Sequence, residues 1–146
     1  MILAGPQATE ALGRALAGRM GPGDVIALYG DLGTGKTTLA RGILRGLGFD
    51  GDVASPTFPI VQPYEALALP LWHVDLYRIE DAGEAEELGL DEALEEGALV
   101  VEWPERLGTG LWPQALRLTL SRRSEHERAL TAQVPAAWEG RWPPRR

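Results

Sequence analysis

Cysteine and asparagine are absent from this sequence, and lysine occurs once, at Lys36, against thirteen arginines. Without cysteine there is no disulfide, no thiolate metal site and no cysteine nucleophile. No apolar run approaches the roughly 20 residues that a membrane-spanning helix needs. Met1 to Ala4 has neither the basic lead nor the length of a secretory signal. These absences predict a cytoplasmic protein with no membrane contact. Basic groups are also in deficit, with 21 acidic residues against 14 basic ones and a net charge of −7. Such a surface repels phosphate backbones at long range, which works against strong, direct nucleic-acid binding. Arginine stands at every basic position except 36, so that position reads as one that needs a compact ammonium rather than a guanidinium fork.

The 146 residues fit one domain with a real core. We place that domain at residues 1–134, followed by a Pro-, Trp- and Arg-rich tail at 135–146 whose composition predicts poor order. Gln7 to Met20 has the spacing of an amphipathic helix, with Leu12, Leu16 and Met20 on one stripe. Val25 to Tyr29 is a short, wholly apolar run, as expected of a strand buried on both faces of a parallel sheet. Lys36 to Leu47 reads as a helix stopped by Gly48. Two further buried-strand patterns each end in an acid: Leu71 to Asp75, and Ala98 to Glu102. Between them, Asp81 to Glu96 is an acidic helical stretch broken at Gly89. Ala115 to Ser121 and Arg128 to Val134 alternate apolar and polar, which predicts an antiparallel hairpin at the sheet edge. The fold class is α/β, with a mostly parallel central sheet flanked by helices.

Between the first buried strand and its helix lies Gly30-Asp31-Leu32-Gly33-Thr34-Gly35-Lys36-Thr37, a complete phosphate-binding loop (P-loop). Its glycines let the backbone curl so that successive N–H groups face phosphate oxygens. The following helix turns its positive end to the same place. Lys36 can reach the β- and γ-phosphates, and the Thr37 hydroxyl can ligate Mg²⁺. The expected nucleotide contacts around the loop are Leu32, Gly33, Thr34, Gly35, Lys36, Thr37 and Thr38.

Asp75 and Glu102 complete the candidate site, because ligands of open α/β sheets sit beyond the carboxyl ends of the strands. One acid holds the metal and the other orients the attacking water; the sequence leaves the division open. His73, two residues before Asp75, reads as a structural histidine bonded to a neighbour. Thr57, beside the stiff Pro56, is either a switch-loop threonine that closes over the γ-phosphate or part of an ordinary proline turn. The guanine-reading Asn/Thr-Lys-x-Asp run cannot be present, since the chain has no asparagine and no second lysine. ATP is therefore preferred by elimination. A small Mg-ATP-dependent ATPase or switch is the leading class; a small-molecule kinase and a nucleotide-dependent binding module without significant hydrolysis are the alternatives.

The segments GDLGTGKTTLARGILRGLG (30–48), VASPTF (53–58), HVDLYRIED (73–81), ELGLDEAL (87–94) and VVEWPERL (100–107), taken together and in this order, resemble the TsaE family. That family is the ATPase component of bacterial tRNA threonylcarbamoyladenosine (t6A) synthesis. The resemblance implies that Lys36 and Thr37 serve phosphates and Mg²⁺, that Glu102 is the acidic magnesium ligand, and that Asp75 is a required strand-end aspartate. It implies Thr57 as the switch-loop threonine and Trp103 as a tryptophan near the active site. Thr9 resembles a residue beside the adenine, and Arg128 a strand residue close to the nucleotide. The implied partners are TsaB and TsaD, with TsaD performing the transfer and tRNA contacted only indirectly. Hydrolysis by this chain alone is then expected to be slow.

Overall fold

The computed structural model describes residues 1–56, 60–108 and 112–144. Along the chain these form β1 (Ile2–Ala4), α1 (Pro6–Ala17), β2 (Val25–Tyr29), α2 (Lys36–Gly46), β3 (Val61–Tyr64), β4 (Leu71–Asp75), α3 (Ala82–Glu86), α4 (Leu90–Ala93), β5 (Ala98–Glu102), β6 (Leu116–Arg122) and β7 (Glu127–Gln133). Short 3₁₀ turns follow β5 at Pro104–Leu107 and β7 at Ala136–Trp138.

The strands make one mixed sheet in the order β1-β7-β6-β2-β5-β4-β3. Its centre is parallel, with β6, β2, β5 and β4 running the same way, and both edges are antiparallel. Aliphatic and β-branched residues dominate β2 and β5 because both faces of these strands are covered. On one face Ile26, Leu28, Val100 and Leu118 meet Leu12 and Leu16 of α1 and Leu39 and Ile43 of α2. On the other, Val25, Ala27, Leu99 and Val101 meet Ala85 of α3 and Leu90 of α4.

Helices α1 and α2 approach closely because glycine lines their contact. A Cβ on Gly42 would lie 2.2 Å from the Glu10 carbonyl oxygen, and one on Gly13 would lie 2.5 Å from that of Leu39. This seats α2 on the sheet and fixes where its first turn points.

Two expectations change. The β6–β7 hairpin forms, but β1 pairs antiparallel with β7, so the hairpin lies one strand inside the edge. Three residues are too few to display a period, and their partners sit at the far end of the chain. Residues 134–144, after β7, pack against the domain rather than lying loose. Trp138 is wholly buried in the first core face. Arg141 donates from Nη1 and Nη2 to the two carboxylate oxygens of Asp24 at 2.7 and 3.1 Å. Its guanidinium lies 4.0 Å from the centroid of the Trp138 ring. Composition registers the prolines and arginines as solvent-facing, whereas one tryptophan carries enough apolar area to offset the ordering of its neighbours.

Candidate functional site

A cavity of about 580 Å³ opens where the carboxyl ends of β4 and β5 meet the first turn of α2. Leu32, Gly33, Thr34, Gly35, Lys36, Thr37 and Thr38 line one side, and Asp75, Glu102 and Trp103 line another. Thr9 from α1 and Arg128 from β7 close the far end. Thr57 lies outside the described residues.

The loop geometry follows from its glycines. Gly30 has φ +139°, and a Cβ there would lie 2.4 Å from the Leu120 carbonyl oxygen, so only glycine fits beside β6. Gly35 takes the left-handed conformation at the start of α2, and no side chain caps the helix. The first N–H groups of α2 therefore have no side-chain partner on the cavity side, which suits an anion. Thr34 Oγ1 donates to the Asp31 carbonyl at 2.8 Å, and Arg128 Nη2 donates to the Gly33 carbonyl at 3.3 Å. The loop is thus braced from within and from the β6–β7 hairpin.

Lys36 Nζ donates to the Gly30 carbonyl at 2.6 Å and sits 3.6 Å from the centroid of the Trp103 ring. Burial pushes the Lys36 ammonium below its usual pKa, while the carboxylates of Glu102, Glu105, Asp75 and Asp31 oppose that shift without cancelling it. Trp103 holds a left-handed backbone, φ +58°, at the step from β5 into Pro104. Its ring also meets that of Tyr77, with centroids 5.0 Å apart.

The two acids are neighbours in register, Asp75 opposite Glu102 on parallel strands, and both are buried. Thr37 Oγ1 lies 3.3 Å from each oxygen of Glu102. Glu102 Oε2 is 2.6 Å from His73 Nε2, so the histidine expected to bond a neighbour bonds this carboxylate. Asp75 instead accepts from Ser55 Oγ and, at 2.9 Å, from the backbone N–H of Tyr77. Cavity residues not anticipated from the sequence are Ser55, Tyr77, Gly5, Pro6, Glu125 and His126. Ser55 carried a signal, since it adjoins Pro56 in the loop considered for Thr57. Tyr77 lies two residues past Asp75, and Gly5 and Pro6 lie close to Thr9, whereas Glu125 and His126 reach the cavity only through the pairing of β6 with β7 and of β7 with β1.

Comparison with known proteins places this arrangement. The family model for threonylcarbamoyl adenosine biosynthesis protein TsaE matches residues 3–130. The chain belongs to the TsaE family. A Bacillus subtilis tRNA threonylcarbamoyladenosine biosynthesis protein TsaE is 42% identical over 127 residues, covering 86% of this chain and 79% of its own. A protein of the same name from Streptomyces coelicolor is 46% identical over 114 residues, covering 76% and 77% of the two chains. The crystal structure of YdiB from Bacillus subtilis superposes with a TM-score of 0.78 at 36% identity, covering 96% of this chain and 88% of that one. All the cavity residues fall inside the TsaE match, whereas Trp138 and Arg141 fall outside it. Among the described residues no helix is long and apolar enough to cross a membrane.

Proposed function

We propose that this TsaE-family protein is a P-loop ATPase of the cytoplasm that binds Mg-ATP in the cavity described above. It serves t6A formation by acting on a TsaB–TsaD complex rather than by carrying out the transfer. The observation that carries the reading is the meeting of Thr37 and Glu102 beside Lys36. Cis oxygens of an octahedral Mg²⁺ lie about 2.9 Å apart when each is about 2.05 Å from the ion. Thr37 Oγ1 and the Glu102 oxygens, at 3.3 Å, fit that spacing with a small inward shift. Among the described residues no group of three or more His, Cys, Asp or Glu side chains could hold a metal by themselves. That suits magnesium, which usually takes one or two protein ligands together with phosphates and water.

Bound magnesium would neutralise charge on the β- and γ-phosphates. The protein supplies the rest. Loop and helix N–H groups cradle the phosphates, and Lys36 leaves the Gly30 carbonyl for their oxygens. Glu102 and Thr37 keep the ion in place. Asp75 orients the attacking water and, through Ser55, couples that position to residues 53–56. Slow hydrolysis in isolation follows if a partner must complete the site, and a loop that orders around the γ-phosphate gives that partner a surface to read. A small-molecule kinase would call on arginines such as Arg78, Arg122, Arg123 and Arg128 for an arginine-bearing lid, and of these four only Arg128 lines the cavity, which disfavours that alternative.

The deciding experiment is Mg²⁺-dependent ATP hydrolysis by the protein alone and with TsaB and TsaD of its own organism, beside a Lys36→Ala control. Stimulation by the pair, absent in the control, supports a partner-gated ATPase. Unstimulated hydrolysis with nucleotide binding intact rejects the gating, and a screen of phosphate acceptors then tests the kinase.

A further inference from the structure

His73 stands between Trp72 and Val74 of β4, and it is wholly buried. Leu71, His73 and Asp75 share the face of the sheet that carries Ala98, Val100 and Glu102 of β5. A leucine there would continue the core. Nε2 lies 2.6 Å from Glu102 Oε2, while Nδ1 is buried with no hydrogen-bond partner among the described residues. The carboxylate can only accept. The hydrogen bond therefore places a proton on Nε2, facing Glu102.

The terminal torsion of a glutamate is broad and roughly two-fold, so packing alone fixes the plane of its carboxylate weakly. The bond from His73 fixes it here. With Oε2 held, both oxygens of Glu102 stand at 3.3 Å from Thr37 Oγ1. Carboxylates that hold metals depend on such outer hydrogen bonds for their aim.

We propose that His73 is a positioning residue for the magnesium site: its Nε2–H holds the Glu102 carboxylate in the plane that serves the ion together with Thr37. The proposal rests on the Mg-ATP reading above. It assigns His73 no contact with nucleotide and no part in proton transfer.

Three variants test it. His73→Leu removes the donor. His73→Asn keeps a polar group but places it where Nδ1 was, out of reach of Oε2. His73→Gln restores an N–H near the position of Nε2. ATP binding is measured calorimetrically in EDTA and across a Mg²⁺ titration. His73→Leu and His73→Asn are expected to need about 10- to 100-fold more Mg²⁺ for half-maximal tightening of ATP binding, with His73→Gln within about threefold of the parent. Their affinity for ATP in EDTA stays within about twofold of the parent's, since the phosphate cradle is untouched. An unchanged Mg²⁺ requirement in His73→Leu and His73→Asn overturns the proposal, as does an equal loss in EDTA. Should His73→Leu not fold, the contrast between His73→Asn and His73→Gln decides alone, and equal requirements in those two overturn it. If the parent itself binds ATP no better with Mg²⁺ than without, the Mg-ATP reading fails first and takes this role with it.

Discussion

Asp75 and Glu102 stand side by side at the ends of two adjoining parallel strands, yet different parts of the chain hold them. Thr37 and His73 engage Glu102, while Ser55 and the Tyr77 backbone engage Asp75. Thr37 lies on α2 beside Lys36 and His73 on β4, whereas Ser55 lies in the segment after α2 and Tyr77 just past the end of β4. This separation predicts separable defects. Glu102→Gln is expected to raise the Mg²⁺ needed for hydrolysis about tenfold or more. Asp75→Asn is expected to lower the turnover at saturating Mg²⁺ by about 100-fold or more while leaving the Mg²⁺ requirement near the parent's. Rates of ADP release across a Mg²⁺ titration, with TsaB and TsaD present, read both effects; a common defect in the two variants sinks the division of roles.

The seat of α2 gives a stability prediction. Because a Cβ on Gly42 would meet the Glu10 backbone at 2.2 Å, Gly42→Ala forces α1 and α2 apart. The cost is expected to be about 1–3 kcal/mol, despite the higher helix propensity of alanine. Urea unfolding measures it, and a variant as stable as the parent would show that the two helices slide without penalty.

The C-terminal segment makes a second one. Trp138→Ala removes a wholly buried ring and is expected to cost about 3–5 kcal/mol. Arg141→Lys keeps the charge but loses the two-pronged contact with Asp24. Its cost is expected to be about 1 kcal/mol and to shrink with added salt, because the pair is partly exposed. Thermal unfolding at low and high salt distinguishes the two losses.

Lys36 supplies a pH dependence whose sign is fixed by its surroundings. Burial lowers its pKa in the folded protein from the ordinary 10.5, so the unfolded chain holds the proton more tightly. Below the folded pKa the protein bears the full cost of a buried ammonium. Between the lowered pKa and 10.5 the unfolded state binds more protons, and the parent gains stability as pH rises. Lys36→Met lacks this cost, so its stability advantage over the parent is expected to narrow toward pH 10.5. Paired urea titrations follow that difference; a gap that stays constant or widens contradicts the buried-ammonium account.

Much of the site was legible because its information is local. The spacing of Gly30, Gly33, Gly35, Lys36 and Thr37 needs only a strand before it and a helix after it. Asp75 and Glu102 announce themselves as acids that end apolar runs. Their adjacency was not legible, because it depends on β5 lying between β2 and β4. The bond from Ser55 to Asp75 and that from His73 to Glu102 were hidden for the same reason. Strand β1 escaped notice because Ile2–Ala4 shows no period by itself. Trp138 was masked by flexible-looking neighbours.

The pairing of β1 with β7 ties the cavity to the order of synthesis. Residues 30–38, one wall of the cavity, are made early in the emerging chain, but the opposite end joins Gly5, Pro6 and Thr9 to Glu125, His126 and Arg128. The backbone contacts that bring these groups together, Ile2 with Ala129 and Ala4 with Glu127, cannot form until residues 127–129 have left the ribosome. A nascent or truncated chain can therefore present the loop side of the cavity with no far wall, and the cavity is completed only as β7 docks beside β1.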